Sequence, residues 1–229
     1  MNTIAHRLLE IQARIKLAEQ HYQRPPGSTQ LLAVSKTCPL ADLQTLYKLG
    51  QRHFAENYLQ DALPKIAGMP TDVCWHFIGP LQSNKTRPVA ENFHWLHTLE
   101  RLKIARRLNQ QRPAEQPPLN VCIQVNISAD PNKSGLPPEA VAELAKEIST
   151  LPRLRLRGLM ALPQRQTKLA PQRIPFQKLA ELYAQLNQHG FELDTLSMGM
   201  SNDLEAAVAE GSTLLRIGSG LFGSRKYPQ

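Results

Sequence analysis

The chain has 229 residues, 41% of them apolar, enough to bury one sizeable core and in line with the roughly 200–250 residues of a single α/β barrel. No run of about 18 apolar residues occurs, and Met1 to Gln20 alternates apolar with charged side chains, which leaves no spanning helix or signal peptide and implies a cytoplasmic protein. The net charge of +8 is scattered, with no interleaved aromatic residues, so specific nucleic-acid binding is not expected and a phosphorylated small molecule is the anion the field would favour.

Residues 3–22 read as an amphipathic helix that Pro25-Pro26-Gly27 stops. The first strand, 31–35, runs into Lys36, and a period of two places Lys36 on the face of Leu32 and Val34. In a barrel that face is the apolar mouth, where desolvation disfavours the ammonium form and leaves an amine able to attack a carbonyl. The bland alternative is a lysine that ends a strand and turns into solvent. Further strands are expected at 53–55, 75–78, 95–97, 119–127 and 156–162, with helices near 40–49, 57–67, 84–91, 99–111 and 138–150.

Several features along this stretch read as structural. The cations of Arg101 to Arg112 form the wet face of a helix whose apolar face is Leu102, Ile104, Ala105 and Leu108. His76, His94 and His97 lack the spacing of a metal site and read as packed or surface histidines, and Trp75 and Trp95 read as core. Cys38, Cys74 and Cys122 are far apart and read as buried reduced thiols. The Pro-rich stretch 112–118 and the polar stretch 163–175 fall inside the alternation of elements and read as surface loops.

A helix at 172–189 precedes a strand at 195–198. Ser197 to Asp203 then leads into a helix at 202–210, with Ser201 as its N-cap and small residues leaving backbone amides open to an anion. The last strand, 214–217, is followed by Gly218-Ser-Gly-Leu-Phe-Gly223. Six residues beyond Gly223 cannot supply the βαβ unit of a dinucleotide fingerprint, but loops after strands seven and eight of a barrel often hold phosphate. Two ordinary Gly-rich turns are the alternative.

Eight strands, several apolar on consecutive positions, fit parallel strands covered on both faces. The expectation is α/β: a single (β/α)8 TIM barrel with an extra N-terminal helix, one domain over 1–229. An amine on the first strand and a phosphate cup across the last two suggest a phosphorylated aldehyde, and pyridoxal 5′-phosphate is the obvious cofactor, held as a Schiff base. Arg216 would share the inward face of strand eight with Leu214 and Gly218, near the cofactor ring, where an arginine weakens the electron sink that an aspartate would strengthen. A structural ion pair of Arg216 with Asp203 or Glu205 is the competing role.

The blocks Leu32-Ala-Val-Ser-Lys-Thr37, Phe54-Ala-Glu-Asn-Tyr58, Trp75-His-Phe-Ile-Gly-Pro-Leu-Gln-Ser-Asn-Lys85, Val125-Asn-Ile-Ser128 with Lys133-Ser-Gly135, Arg157-Gly-Leu-Met-Ala161, and Leu196-Ser-Met-Gly-Met-Ser-Asn-Asp203 through Arg216-Ile-Gly218 resemble the pyridoxal-phosphate homeostasis proteins, the YggS family. The resemblance runs in order from about residue 3 to 225 and implies the fold of the alanine racemase N-terminal barrel. It implies that Lys36 carries the cofactor, that Ser201, Gly218 and Ser219 hold its phosphate, that Arg216 approaches the pyridine nitrogen, and that Asn57 and Met160 line the ring. Three positions depart from the pattern. Ala55 stands where the family usually has glycine, Ser219-Gly220 replaces threonine and a small apolar residue, and Leu40 stands where the racemase would have a phosphate-binding tyrosine. Gly220 is therefore expected to loosen the loop, and the cup to hold its anion less tightly than the racemase does.

The resemblance implies a non-catalytic carrier, monomeric, that buffers the cofactor or delivers it to pyridoxal-phosphate-dependent apoenzymes; the lack of a long apolar run adds the expectation of no membrane partner. An amino-acid racemase is the main alternative. It needs a proton acceptor on each face of the substrate, and by resemblance the second comes from a C-terminal domain for which the residues after strand eight leave no room. A Schiff-base aldolase would need a carboxylate or tyrosine relay that the sequence does not reveal.

Overall fold

Consecutive strands pair in parallel around a closed ring, and the last returns to the first. The computed structural model describes residues 3–223; residues 1–2 and 224–229 of the expected domain, with the last two positions of the resemblance, lie outside them. The strands are β1 (Gln30–Val34), β2 (His53–Glu56), β3 (Cys74–Phe77), β4 (Trp95–Leu99), β5 (Leu119–Val125), β6 (Leu154–Ala161), β7 (Thr195–Ser197) and β8 (Leu214–Ile217). Helix α1 (Ile4–His21) precedes the barrel, and α2 (Leu40–Lys48), α3 (Leu59–Ala67), α4 (Thr86–Asn92), α5 (Leu102–Gln111), α6 (Val141–Ser149), α7 (Leu169–Gln188), α8 (Leu204–Ala209) and α9 (Ser219–Phe222) follow the strands in turn. The expected (β/α)8 barrel with an added N-terminal helix is thus the observed architecture.

Strand residues alternate between two cores. Leu31 and Ala33 of β1 face the helices, within a large outer core that also takes Phe54, Trp75, Leu96 and Phe176, whereas Leu32 and Val34 face inward beside Ala55. Each large apolar side chain buried in this way stabilises the fold by about 1.5–3 kcal/mol. The barrel interior departs from the usual aliphatic filling. It holds Trp95, Cys122 and Met160, and among its buried polar groups are His76, His97, Ser197 and Arg216.

Element ends differ from expectation for identifiable reasons. Helix α7 starts at Leu169, so the polar stretch 163–175 is a loop only as far as Lys168. Pro171 sits in the first turn, where its missing N–H costs nothing, and the apolar stripe Phe176, Leu179 and Leu186 carries the helix past the bond lost at Pro175. Strand β6 begins at Leu154 and bulges against β5, with Val121 opposite Leu156 but Cys122 opposite Gly158. The extra residue, Arg157, turns out to chelate Asp194 at 2.6–2.9 Å. Helix α3 starts at Leu59 and not at 57, which leaves Asn57 at the strand end. Among the described residues no helix is long and apolar enough to cross a membrane.

Candidate functional site

The chain leaves β1 through a strained turn. Thr37, directly after Lys36, has φ of 64°, a left-handed conformation uncommon for a branched residue, and its hydroxyl donates to the Lys36 carbonyl at 2.6 Å. What holds the strand end in place lies on the other face. Ser35 and Glu56 point outward where Lys36 and Asn57 point inward. The Ser35 hydroxyl donates to Glu56 Oε1 at 2.6 Å, and Lys65 Nζ of α3 donates to the same oxygen at 2.7 Å and to the Ser35 carbonyl at 2.8 Å. Glu56 is fully buried, and burial pushes its carboxyl above the usual range against the pull of Lys65 and Ser35. One buried network thus fixes the ends of the two strands that present Lys36 and Asn57.

Asn57 is placed from its other side by Gly79. A Cβ there would lie 1.9 Å from the Asn57 carbonyl oxygen, so only glycine lets the two strand ends approach, and the Thr98 hydroxyl clamps the Gly79 carbonyl at 2.6 Å. The side-chain oxygen of Asn57 is buried without a hydrogen-bond partner. A buried orphan of this kind is costly unless a ligand satisfies it.

Arg216 is 4% exposed, and its guanidinium donates to the Ser197 carbonyl, to Ser197 Oγ at 2.7 Å and to the Ala161 carbonyl at 2.8 Å. Burial lowers its pKa to about 10, which still leaves a cation at neutral pH. The competing structural ion pair does not form: Glu205 pairs with Arg14 at 2.9 Å, and Asp203 accepts from the Met200 amide. His97, placed in the interior, lies 2.7 Å from Ser197 Oγ through Nδ1, and burial beside Arg216 drives its pKa down to about 3.

The loops after β7 and β8 differ in detail from expectation. Ser201 is not a helix cap, because α8 begins only at Leu204 and Ser201 sits in the preceding turn. Its hydroxyl instead accepts from the Gly220 amide at 3.1 Å, joining the loop after β7 to the loop after β8. Residues 219–222 form the short helix α9, unforeseen because four residues give no periodicity. The Ser219 amide falls in its first turn, where no intrahelical carbonyl is available. Gly220 tightens the loop where loosening was expected: a Cβ would meet Ser201 Oγ at 2.9 Å and Ile11 Cδ1 at 3.3 Å. Ala55 fills the barrel interior between Leu32 and Val34, and Leu40 packs on Gly68 outside the cavity.

These groups converge. Lys36, Asn57, Met160, Ser201, Arg216, Gly218 and Ser219 all line one cavity of about 310 Å³ at the C-terminal mouth, at the small end of ligand sites. Sequence reasoning missed Arg165, Gln166 and Asn202 and gave Asp203 only a structural role, yet all four line it too. The only available signal for them was position, in loops that follow β6 and β7. The polar lining fits pyridoxal phosphate: an amine for the aldehyde, an unpartnered amide oxygen, an immobilised cation, and hydroxyls and amides for phosphate.

Comparison with known proteins agrees. The family described as alanine racemase, N-terminal domain, matches residues 7–226. The pyridoxal phosphate homeostasis protein of Pseudomonas aeruginosa is 54% identical over 99% of this chain and 98% of its own length, and that of Escherichia coli is 49% identical over 99% of each. The solved structure of PipY from Synechococcus elongatus with PLP bound is similar at 36% identity and a TM-score of 0.81, covering 96% of this chain and all of that one. Alanine racemase of Clostridium difficile, at 15% identity and a TM-score of 0.72 over 58% of its length, shares the fold alone. The chain belongs to the pyridoxal phosphate homeostasis family, built on the alanine racemase N-terminal barrel.

Proposed function

We propose that this protein holds pyridoxal 5′-phosphate at the mouth of its barrel and serves vitamin B6 homeostasis, buffering or delivering the cofactor without turning over a substrate. The observation that carries the reading is the convergence of Lys36, Arg216 and the two anion loops on one cavity. Lys36 is the residue whose amine would hold the cofactor through its aldehyde. Ser201, Gly218 and Ser219 would hold its phosphate, while Asn57 and Met160 would line its ring. Bound pyridoxal phosphate supplies an electrophilic carbonyl and an electron-withdrawing ring. Arg216, already cationic and locked by Ser197 and Ala161, would disfavour a proton on the ring nitrogen of a bound cofactor and so would weaken the ring as an electron sink.

A carrier role is supported by the lining of the cavity. Besides Lys36, the ionisable side chains of its described lining are Arg165, Arg216 and Asp203, and the Asp203 carboxylate already accepts from the Met200 amide, whereas racemisation needs a base on each face. We place the protein in the cytoplasm as a single-domain monomer whose recipients are pyridoxal-phosphate-dependent apoenzymes, with no nucleic-acid or membrane partner. Purified protein should be yellow, Lys36→Ala should lose the colour at unchanged circular dichroism, and added apoenzyme should gain cofactor from the wild type. Rapid racemisation of an amino acid would overturn the carrier reading, and aldol cleavage by cofactor-free protein would overturn the assignment of the cofactor.

A further inference from the structure

The end of the barrel interior opposite the cofactor cavity carries a second cluster of reactive groups. His53 and Cys74 are register partners at the starts of β2 and β3, and His76 lies two residues further along β3, so all three side chains enter the interior at neighbouring positions. Their polar atoms converge. His53 Nδ1 and Cys74 Sγ approach His76 Nε2 to 3.0 Å and 3.4 Å, and the three atoms all lie within 4.8 Å of one another. A single ring nitrogen cannot satisfy two such neighbours well. If Nε2 carries a hydrogen it can serve only one acceptor, and if it is bare two donors compete for one lone pair.

We propose that His53, Cys74 and His76 form a binding site for a borderline-soft divalent cation of the Zn2+ class. Tetrahedral Zn2+ with bonds of about 2.05 Å to nitrogen and 2.3 Å to sulfur requires N···N near 3.3 Å and N···S near 3.6 Å. The two short separations already match these within a few tenths of an ångström, and side-chain rotation closes the third. One thiolate and two imidazoles suit Zn2+ and disfavour Mg2+ or Ca2+, which prefer oxygen. On binding, the Cys74 thiol proton is released to solvent as the sulfur–metal bond forms, His53 and His76 contribute neutral lone pairs, and water takes the fourth position.

The surroundings are those of a built site. His76 Nδ1 lies 2.9 Å from His97 Nε2, His97 Nδ1 lies 2.7 Å from Ser197 Oγ, and Ser197 is held by Arg216. A bare Nε2 on His76 puts its hydrogen on Nδ1, donated to His97, which is the outer-shell arrangement that orients metal-bound histidines. The Trp95 ring stacks on His76 with centroids 5.3 Å apart. His53 also lines a cavity of about 600 Å³ at the N-terminal end of the barrel, together with Glu19, Gly27 and Gln51. The same hydrogen-bond line that completes this site ends at Arg216 in the cofactor cavity, so the two sites are joined through the barrel axis.

The test uses reduced, chelator-treated full-length protein and Co2+ or Zn2+ as probes. One equivalent of Co2+ should bind with the intense visible bands of a tetrahedral centre and a thiolate charge-transfer band, and Zn2+ should displace it. Cys74→Ala and His53→Ala, checked by circular dichroism, should lose both the bands and the bound equivalent. Zn2+ should also suppress alkylation of wild-type Cys74 while leaving Cys38, at the other end of the barrel, unaffected, a readout that needs no variant. Absence of a thiolate band, retention of the equivalent by folded Cys74→Ala, or undiminished Cys74 alkylation in saturating Zn2+ would each overturn the site.

Discussion

Lys65→Met removes a cation bonded to the fully buried Glu56 carboxylate. Lys65 Nζ lies 2.7 Å from Glu56 Oε1, with the two side chains 10% and 0% exposed, so solvent does little to screen the pair. Breaking such a pair from one side costs about 3–5 kcal/mol, because a buried charge is left uncompensated. Burial already holds the Glu56 carboxyl above its ordinary 4.5, and without Lys65 it rises further. The folded variant therefore keeps a proton that the unfolded chain has released. Its stability falls as pH climbs from 4.5 through the raised folded value, by at most about 1.4 kcal/mol per pH unit. A loss of about 3 kcal/mol corresponds to roughly two such units. Urea unfolding at pH 5 and pH 8 measures it, with the wild type as reference so that other titrating groups cancel. The gap should be several kcal/mol at pH 8 and clearly smaller at pH 5, and the Lys65→Met, Glu56→Gln double variant should recover most of it. A loss below about 1 kcal/mol, or one equal at both pH values, would refute the claim that this network anchors the strand ends beside Lys36.

Gly79→Ala sets a Cβ against the Asn57 carbonyl oxygen and should cost more than about 4 kcal/mol in thermal unfolding or leave the protein insoluble. Gly220→Val forces Ser201 away from α9, and fluorescence titration should show weaker binding of pyridoxal phosphate, by about tenfold per 1.4 kcal/mol lost, with little change for unphosphorylated pyridoxal. Arg14→Ala removes an ion pair whose partners are 37% and 43% exposed, so chemical denaturation should register less than about 1 kcal/mol.

What the sequence revealed, and what it hid, follows from the range of the contacts involved. Lys36 could be placed because period-two alternation with Leu32 and Val34 is local, and β1 keeps that alternation. The loops after β7 and β8 were legible as glycine and serine clusters, but the Ser201 to Gly220 bond that joins them is not, so Ser201 read as a cap. Pro171 and Pro175 hid the start of α7, since local rules penalise proline while the burial of Phe176 and Leu179 is tertiary. His53 and Cys74 stand twenty-one residues apart and meet only through the register of β2 against β3, so no linear spacing signals them. The Glu56–Lys65 pair was equally silent, needing both the outward turn of β2 and the docking of α3.

The account depends on Lys36 carrying the cofactor within the cavity that Arg216 and the two anion loops share. Borohydride reduction of the yellow protein, followed by proteolysis and mass mapping, reads this directly. A phosphopyridoxyl group on the peptide containing Lys36, and on no other, is the expected result. The same mass on a different lysine, or none on any peptide from protein saturated with pyridoxal phosphate, would contradict it.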